Sequence, residues 1–332
     1  MKKFINNVDH MLAESLRGFA TAHADLVEVQ FEPTFVTRKQ KAQNKVAVIS
    51  GGGSGHEPLH AGYVGKGMLD AACPGQVFTS PTPDQMLAAA EAVHAGNGVL
   101  FIVKNYAGDV MNFEMATEML PFEHATVYTS DDCAVVNSTY TTGRRGVAGT
   151  VIVEKCVGSL AETGADLAAC KALGDKINLR TSSIGVALTS CTVPAAGRPT
   201  FDISEAEIEM GVGIHGEPGR RREAMRPADA IVSDMVAAIL HDIAAKQLPA
   251  EGEILLLVNG LGATPLMELY LIYQQAASLL AEKGYRVARS LVGNYITAID
   301  MAGASISVCL LDAEIKQHWD SAVHTAGLRW GI

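Results

Sequence analysis

The segment Ile49-Ser50-Gly51-Gly52-Gly53-Ser54-Gly55-His56-Glu57-Pro58 constrains this chain more than any other. It follows a short apolar run, Val46-Ala47-Val48-Ile49, that leaves a lysine-rich turn. The pattern predicts a strand over residues 45–50 running into a glycine loop. Glycines accept φ > 0 and let the backbone close on a ligand. Strand ends of open α/β sheets are where small molecules bind. His56 adds a titratable imidazole, which equips the loop for chemistry as well as binding. The plainer alternative is a tight turn that packs a helix on a sheet.

The loop does not fit the common nucleotide signatures. A phosphate-cradling loop needs G-x-x-x-x-G-K-[ST], and counting from Gly51 the sixth residue is His56, with no Lys-Ser or Lys-Thr after it. A dinucleotide fingerprint needs G-x-G-x-x-G, and Gly51, Gly53 and His56 miss its last position. An unrelated α/β dehydrogenase is therefore a poor reading, and a different ligand is expected.

Alternating strand and helix signals run through the chain and predict an α/β fold. An amphipathic helix is expected from Asp9 to Ala22, with Met11, Leu12, Leu16 and Phe19 on one side. Pro81, Pro83 and Asp84 mark a turn and an N-cap, followed by an alanine-rich helix from Gln85 to His94. The apolar run Gly98–Val103 reads as a strand buried on both faces. It ends in a polar loop, Lys104 to Asp109, with Asp109 placed as an N-cap of the next helix. Later strands are expected at 125–129, 184–189, 253–259, 285–290 and 305–311, and helices at 227–245 and 265–283. These patterns predict two α/β domains, 1–182 with a mostly parallel sheet flanked by helices and a smaller 183–332. The stretch 210–219 is a second glycine-punctuated run, and its His215-Gly216-Glu217-Pro218 echoes Gly55-His56-Glu57-Pro58.

Composition excludes several classes of function. A net charge of −10 argues against a nucleic-acid or anionic-membrane surface. No apolar stretch approaches the roughly 20 residues of a membrane span, and the N-terminus lacks the apolar core of a secretory signal. None of the six cysteines forms C-x-x-C, so zinc and redox motifs are not expected. A cytoplasmic protein with reduced thiols is the expectation. His56, the Lys104–Asp109 pair and His215 all adjoin strand-like runs. Brought together they would combine a carboxylate base with two imidazoles, although each also has an ordinary structural role open to it.

The chain resembles the substrate-binding K subunit of dihydroxyacetone kinases. The resemblance is carried by long collinear strings, among them VISGGGSGHEPLHAGYVGKGML (48–69), FIVKNYAGDVMNFEMA (101–116), YTTGRRGVAGT (140–150), GVGIHGEPG (211–219) and HTAGLRWG (324–331). It implies that dihydroxyacetone binds covalently as a hemiaminal on His215, that Asp109 is the general base toward the phosphate-accepting hydroxyl, and that His56 assists. It implies substrate contacts from Gly53, Ser54, Gly55, His56, Lys104 and Asp109. No metal or cofactor is expected on this chain; ADP or ATP and magnesium belong to a helical L subunit, recharged in phosphotransferase-system-linked versions by an M subunit. A homodimer is also implied. The alternative on the same fold is a non-catalytic dihydroxyacetone sensor or transcriptional co-regulator, which would make a regulator protein a partner.

Overall fold

The computed structural model describes residues 2–138 and 140–332. Helix α1 (Met11–Ala22) opens the chain, and a hairpin follows, β1 (Val27–Phe31) and β2 (Thr34–Arg38). Then come β3 (Ala47–Ser54), β4 (Gly65–Lys66), β5 (Ala71–Val77), α2 (Pro83–Val93), β6 (Val99–Lys104), α3 (Ala107–Thr117) and β7 (His124–Thr129). Five of these strands join β3 in a sheet of order β1-β2-β5-β3-β6-β7. The run β5-β3-β6-β7 is parallel, while the hairpin attaches antiparallel at the β5 edge. This central strand alternates cleanly. Ala47 and Ile49 pack with Met86, Phe101 and Phe113 on the α2–α3 face, whereas Val46 and Val48 join Leu100, Ile102 and Val127 on the other.

Two helices cover that second face, α4 (Gly149–Glu162) and α5 (Leu167–Arg180). They are followed by β8 (Thr181–Ala187), β9 (Glu207–Met210), β10 (Arg221–Ala224), α6 (Ala228–Ala245), β11 (Gly252–Gly260), α7 (Leu266–Glu282), β12 (Tyr285–Gly293) and β13 (Gly303–Leu310). These strands form a second sheet, β10-β9-β8-β13-β11-β12, in which only β11 and β12 run parallel. Its outer face packs Ile254, Leu256 and Val258 on α6 and α7, while Leu255 and Leu257 turn toward α4 and α5. The α4–α5 pair thus lies between two sheets, which is why every residue from Gly149 to Ser159 is buried. The chain closes with α8 (Ala313–Asp320), β14 (Val323–Thr325) and β15 (Arg329–Trp330), and β14 pairs with β4 of the first half. The strands of the two sheets divide between Thr129 and Thr181, but one core cluster draws on both halves.

Three local expectations need correcting. The glycines are strand, not loop: Gly51, Gly52 and Gly53 lie within β3, and of this segment only Gly55 has positive φ, at 100°. Their small size is what matters, because a Cβ on Gly51 would lie 2.7 Å from the Cys73 carbonyl and one on Gly53 2.6 Å from the Thr79 nitrogen. Asp84 is not the cap of α2; Thr82 is, in a capping box with Gln85. Asp109 is not a cap either, since α3 begins after Tyr106 and places Asp109 in its first turn.

Candidate active site

Strand β3 and strand β6 end side by side, and their C-terminal ends deliver the first half of the site. A cavity of about 460 Å³ there is lined by Gly53, Phe78, Ser80, Tyr106, Asp109, Tyr140, Thr200 and His215, with the turns around them. Asp109 enters it from the first turn of α3 and is 3% exposed. Lys104, the last residue of β6, is fully buried behind it, with its ammonium 3.5 Å from the Asp109 carboxylate.

The second half comes from the loop joining β9 to β10. His215 sits on it with its Nε2 3.1 Å from the Nε2 of His56. Phe78 stacks on His56 with ring centres 4.9 Å apart and meets His215 edge-on at 5.1 Å. Tyr106 closes the other side, edge-on to His215 at 4.6 Å. The Glu217 carboxylate folds back beneath His215, accepting from its backbone N–H at 2.8 Å and from Nδ1 at 3.0 Å. Glu57 makes the same turn in the first motif, accepting from the Gly55 N–H at 3.0 Å. The sequence echo is therefore a shared local conformation, a glutamate reaching back two residues. Buried Arg145 ties the loop down: it pairs with Asp132 at 2.7 Å and donates to the Gly211 carbonyl at 2.7 Å. Gly213 leaves room for this, because a Cβ there would lie 2.1 Å from the Glu217 carboxylate.

Hydrogen-bond accounting fixes the ring tautomers. His56 Nδ1 lies 2.7 Å from the Thr297 carbonyl, which only accepts, so Nδ1 carries the proton. His215 Nδ1 faces the Glu217 carboxylate and does likewise. Two neutral rings held this way would meet lone pair to lone pair at Nε2, so their contact requires one proton between them. Burial, then the neighbouring His215 and Lys104, hold His56 well below the usual imidazole range. Burial alone would raise Glu217, but His215 and then Arg145 outweigh it and hold the carboxyl down to about 2.

Of the residues singled out in the sequence, Gly53, Asp109 and His215 line the cavity, and His56 and Lys104 are buried behind it against His215 and Asp109. Ser54 and Gly55 do not line the cavity: the Ser54 hydroxyl donates to the Gly75 carbonyl at 2.7 Å, and the Gly55 N–H is taken by Glu57. Glu217, Arg145, Phe78, Ser80 and the Thr297 carbonyl escaped sequence reasoning. Only Glu217 carried a signal, through the echo of Gly-His-Glu-Pro. Among the described residues no group of three or more His, Cys, Asp or Glu is arranged to hold a metal ion. None of the described helices is long and apolar enough to cross a membrane.

The Dak1 domain model matches residues 17–327. The chain belongs to the Dak1 family. Its full length is 47% identical to the whole of the Escherichia coli PEP-dependent dihydroxyacetone kinase, dihydroxyacetone-binding subunit DhaK. Among solved structures it superposes on the dihydroxyacetone kinase of C. freundii with a TM-score of 0.86 and 34% identity, over 99% of this chain and 60% of that one. It also superposes on the dihydroxyacetone kinase operon co-activator DhaQ with a TM-score of 0.88 and 32% identity, covering 95% of this chain and 96% of the other. Dak1 membership agrees with the K-subunit resemblance read from the sequence strings, and the kinase neighbour agrees with the α/β architecture.

Proposed function

We propose that this chain is the dihydroxyacetone-binding, catalytic subunit of a phosphotransferase-system-linked dihydroxyacetone kinase. The observation that carries the proposal is the convergence of His215 and Asp109 from distant segments on one cavity of about 460 Å³, with His56 buried behind His215 and 3.1 Å from it. The names of the Dak1 relatives supply the substrate class, a short ketose with one electrophilic carbonyl.

His215 is the nucleophile in this reading. Glu217 holds its proton on Nδ1 and so leaves Nε2 as the attacking atom. The shared proton passes to His56 Nε2, the freed Nε2 lone pair of His215 adds to the carbonyl carbon, the C=O π electrons move to oxygen, and His56, whose imidazolium gives up a proton readily, hands that proton to the oxygen. The charge left on the ring, whose Nδ1–H still faces Glu217, is balanced by that carboxylate. Addition loses no atoms, so the hemiaminal carries the full substrate mass, and glycerol, which has no carbonyl, cannot form it. Asp109 then accepts the proton of a terminal hydroxyl as that oxygen takes a phosphoryl group. The phosphoryl group comes from nucleotide carried with magnesium by a helical L subunit docked over the cavity, and none of this chain's residues is assigned to the metal.

The test is an intact-protein mass spectrum after addition of dihydroxyacetone. Wild type gains one substrate mass, and His215→Ala gains none; an adduct that persists in His215→Ala refutes the nucleophile. The similarity to the DhaQ co-activator favours a second reading, a ketose sensor that contacts a regulator protein. Asp109, placed in the cavity beside Lys104, is a base that a sensor has no use for. Turnover with an L subunit and its phosphoryl donor separates the two.

A further inference from the structure

The core of α4 contains a carboxyl that packing does not explain. Glu154 is fully buried; its Oε1 lies 2.5 Å from His60 Nδ1, and its Oε2 has no partner. A buried polar atom left unpaired costs stability. Its neighbour Lys155 differs, since that ammonium donates to the His318 carbonyl at 2.8 Å and lies over the Trp330 ring. From Glu154 a line of contacts leads to the cavity. His60 Nε2 lies 2.9 Å from the Lys104 ammonium, which in turn reaches Asp109.

The chemistry of the donors sets the direction of this column. An ammonium has only N–H groups, so His60 Nε2 accepts. The imidazole proton is then on Nδ1, aimed at Glu154 and at the Ser50 hydroxyl 2.9 Å away. Burial, followed by the charge of Lys104, pushes His60 well below the usual range and keeps it in that neutral form. Burial also pushes Glu154 up to about 8. Gly52 roofs the column, since a Cβ there would lie 2.2 Å from the Lys104 ammonium and 3.4 Å from His60 Nε2.

We infer that His60 and Glu154 are positioning residues for the phosphate-accepting step, holding the Lys104 ammonium against Asp109 and so fixing the orientation and charge of the base. The inference rests on the reading of Asp109 as that base. The other titratable groups facing the column are His56 beside His60, Tyr63 beside Glu154 and Tyr106 beside Asp109. When His60 is lost, Lys104 keeps behind it only the Gly51 carbonyl at 3.4 Å, its ammonium moves off Asp109, and the carboxylate loses a favourable charge.

The experiment compares wild type, His60→Leu, Glu154→Gln and Glu154→Leu, each reconstituted with a nucleotide-bearing L subunit and its phosphoryl donor. Rates are followed against dihydroxyacetone and pH, and adduct formation is followed by intact mass. His60→Leu is expected to lose about ten- to a hundredfold in kcat, with KM and the His215 adduct retained and the acid limb of kcat moved to higher pH. Glu154→Gln, whose amide oxygen still accepts from Nδ1–H, stays near wild type, whereas Glu154→Leu falls with His60→Leu. Wild-type kcat and an unmoved acid limb in His60→Leu overturn the inference, as does a Glu154→Gln loss equal to that of Glu154→Leu. Nitrogen-15 shifts of His60 in the wild-type protein decide the matter without any variant: the Nδ1–H tautomer at neutral pH supports it, and Nε2–H or imidazolium overturns it. A wild type that neither forms the adduct nor turns over refutes the functional reading instead, and the tautomer still reports on the column.

Discussion

Replacing Glu217 with glutamine keeps the volume beneath His215 and removes the charge. Glu217 is 2% exposed, so solvent screening does not weaken its interactions. Its carboxyl is held down from 4.5 to about 2, and that difference of about 2.5, at about 1.4 kcal/mol for each, makes the ionised form worth on the order of 3 kcal/mol to the folded chain. The folded value lies below the unfolded one. The contribution is therefore complete above about pH 4.5 and is lost as pH falls toward about 2. Urea unfolding at neutral pH should show Glu217→Gln weaker than wild type by about 3 kcal/mol, with the gap narrowing in acid. Ketose capture should slow in the same variant, because an amide can turn an N–H toward Nδ1 and no longer pins the tautomer. A variant within about 0.5 kcal/mol of wild type at neutral pH, or a gap that acid leaves unchanged, would refute the argument that this carboxylate is stabilised by the ring and Arg145.

Asp109→Asn should keep the dihydroxyacetone adduct by mass while turnover falls at least about a hundredfold, since capture uses His215 and transfer uses the base. Gly52→Ala puts a methyl 2.2 Å from the Lys104 ammonium; kcat should fall about tenfold or more, measured in the reconstituted kinase, with the adduct retained. Arg145→Met leaves Asp132 buried without its partner and frees the Gly211 carbonyl. It should cost about 3–5 kcal/mol by urea unfolding.

The sequence was most legible where chemistry and periodicity coincide. The apolar runs of β6 and β11 both read as strands, β6 as one buried on two faces, and each feeds a core on both faces. His56, Lys104–Asp109 and His215 stood out because each follows or adjoins a strand end, while their sharing of one site was implied only by the family resemblance. The strand across Gly51–Gly53 was not legible, since those glycines serve close approach and not φ freedom, and propensity argues against strand for such a run. Helices α4 and α5 went unassigned: α4, buried between the two sheets, lacks the polar face that a period of 3.6 needs, and α5 buries only Cys170, Leu173, Gly174 and Ile177, a weak apolar stripe. Thr297 acts through its carbonyl, which leaves no trace in residue type. His60 and Glu154 are brought together only by the packing of α4 on the end of β3.

The chain end knits back into its beginning, with β14 paired to β4 and the Gly327 N–H donating to the Gly62 carbonyl at 2.7 Å. His56 likewise depends on residue 297 for the acceptor that orients its ring. During synthesis the first sheet can pair once residue 129 has emerged, but His56 lacks the acceptor that orients it until residue 297 arrives. The paired arrangement of the two imidazoles therefore waits on a segment 241 residues beyond His56. A half-made chain lacks that pair, and with it the assisted capture of a reactive carbonyl.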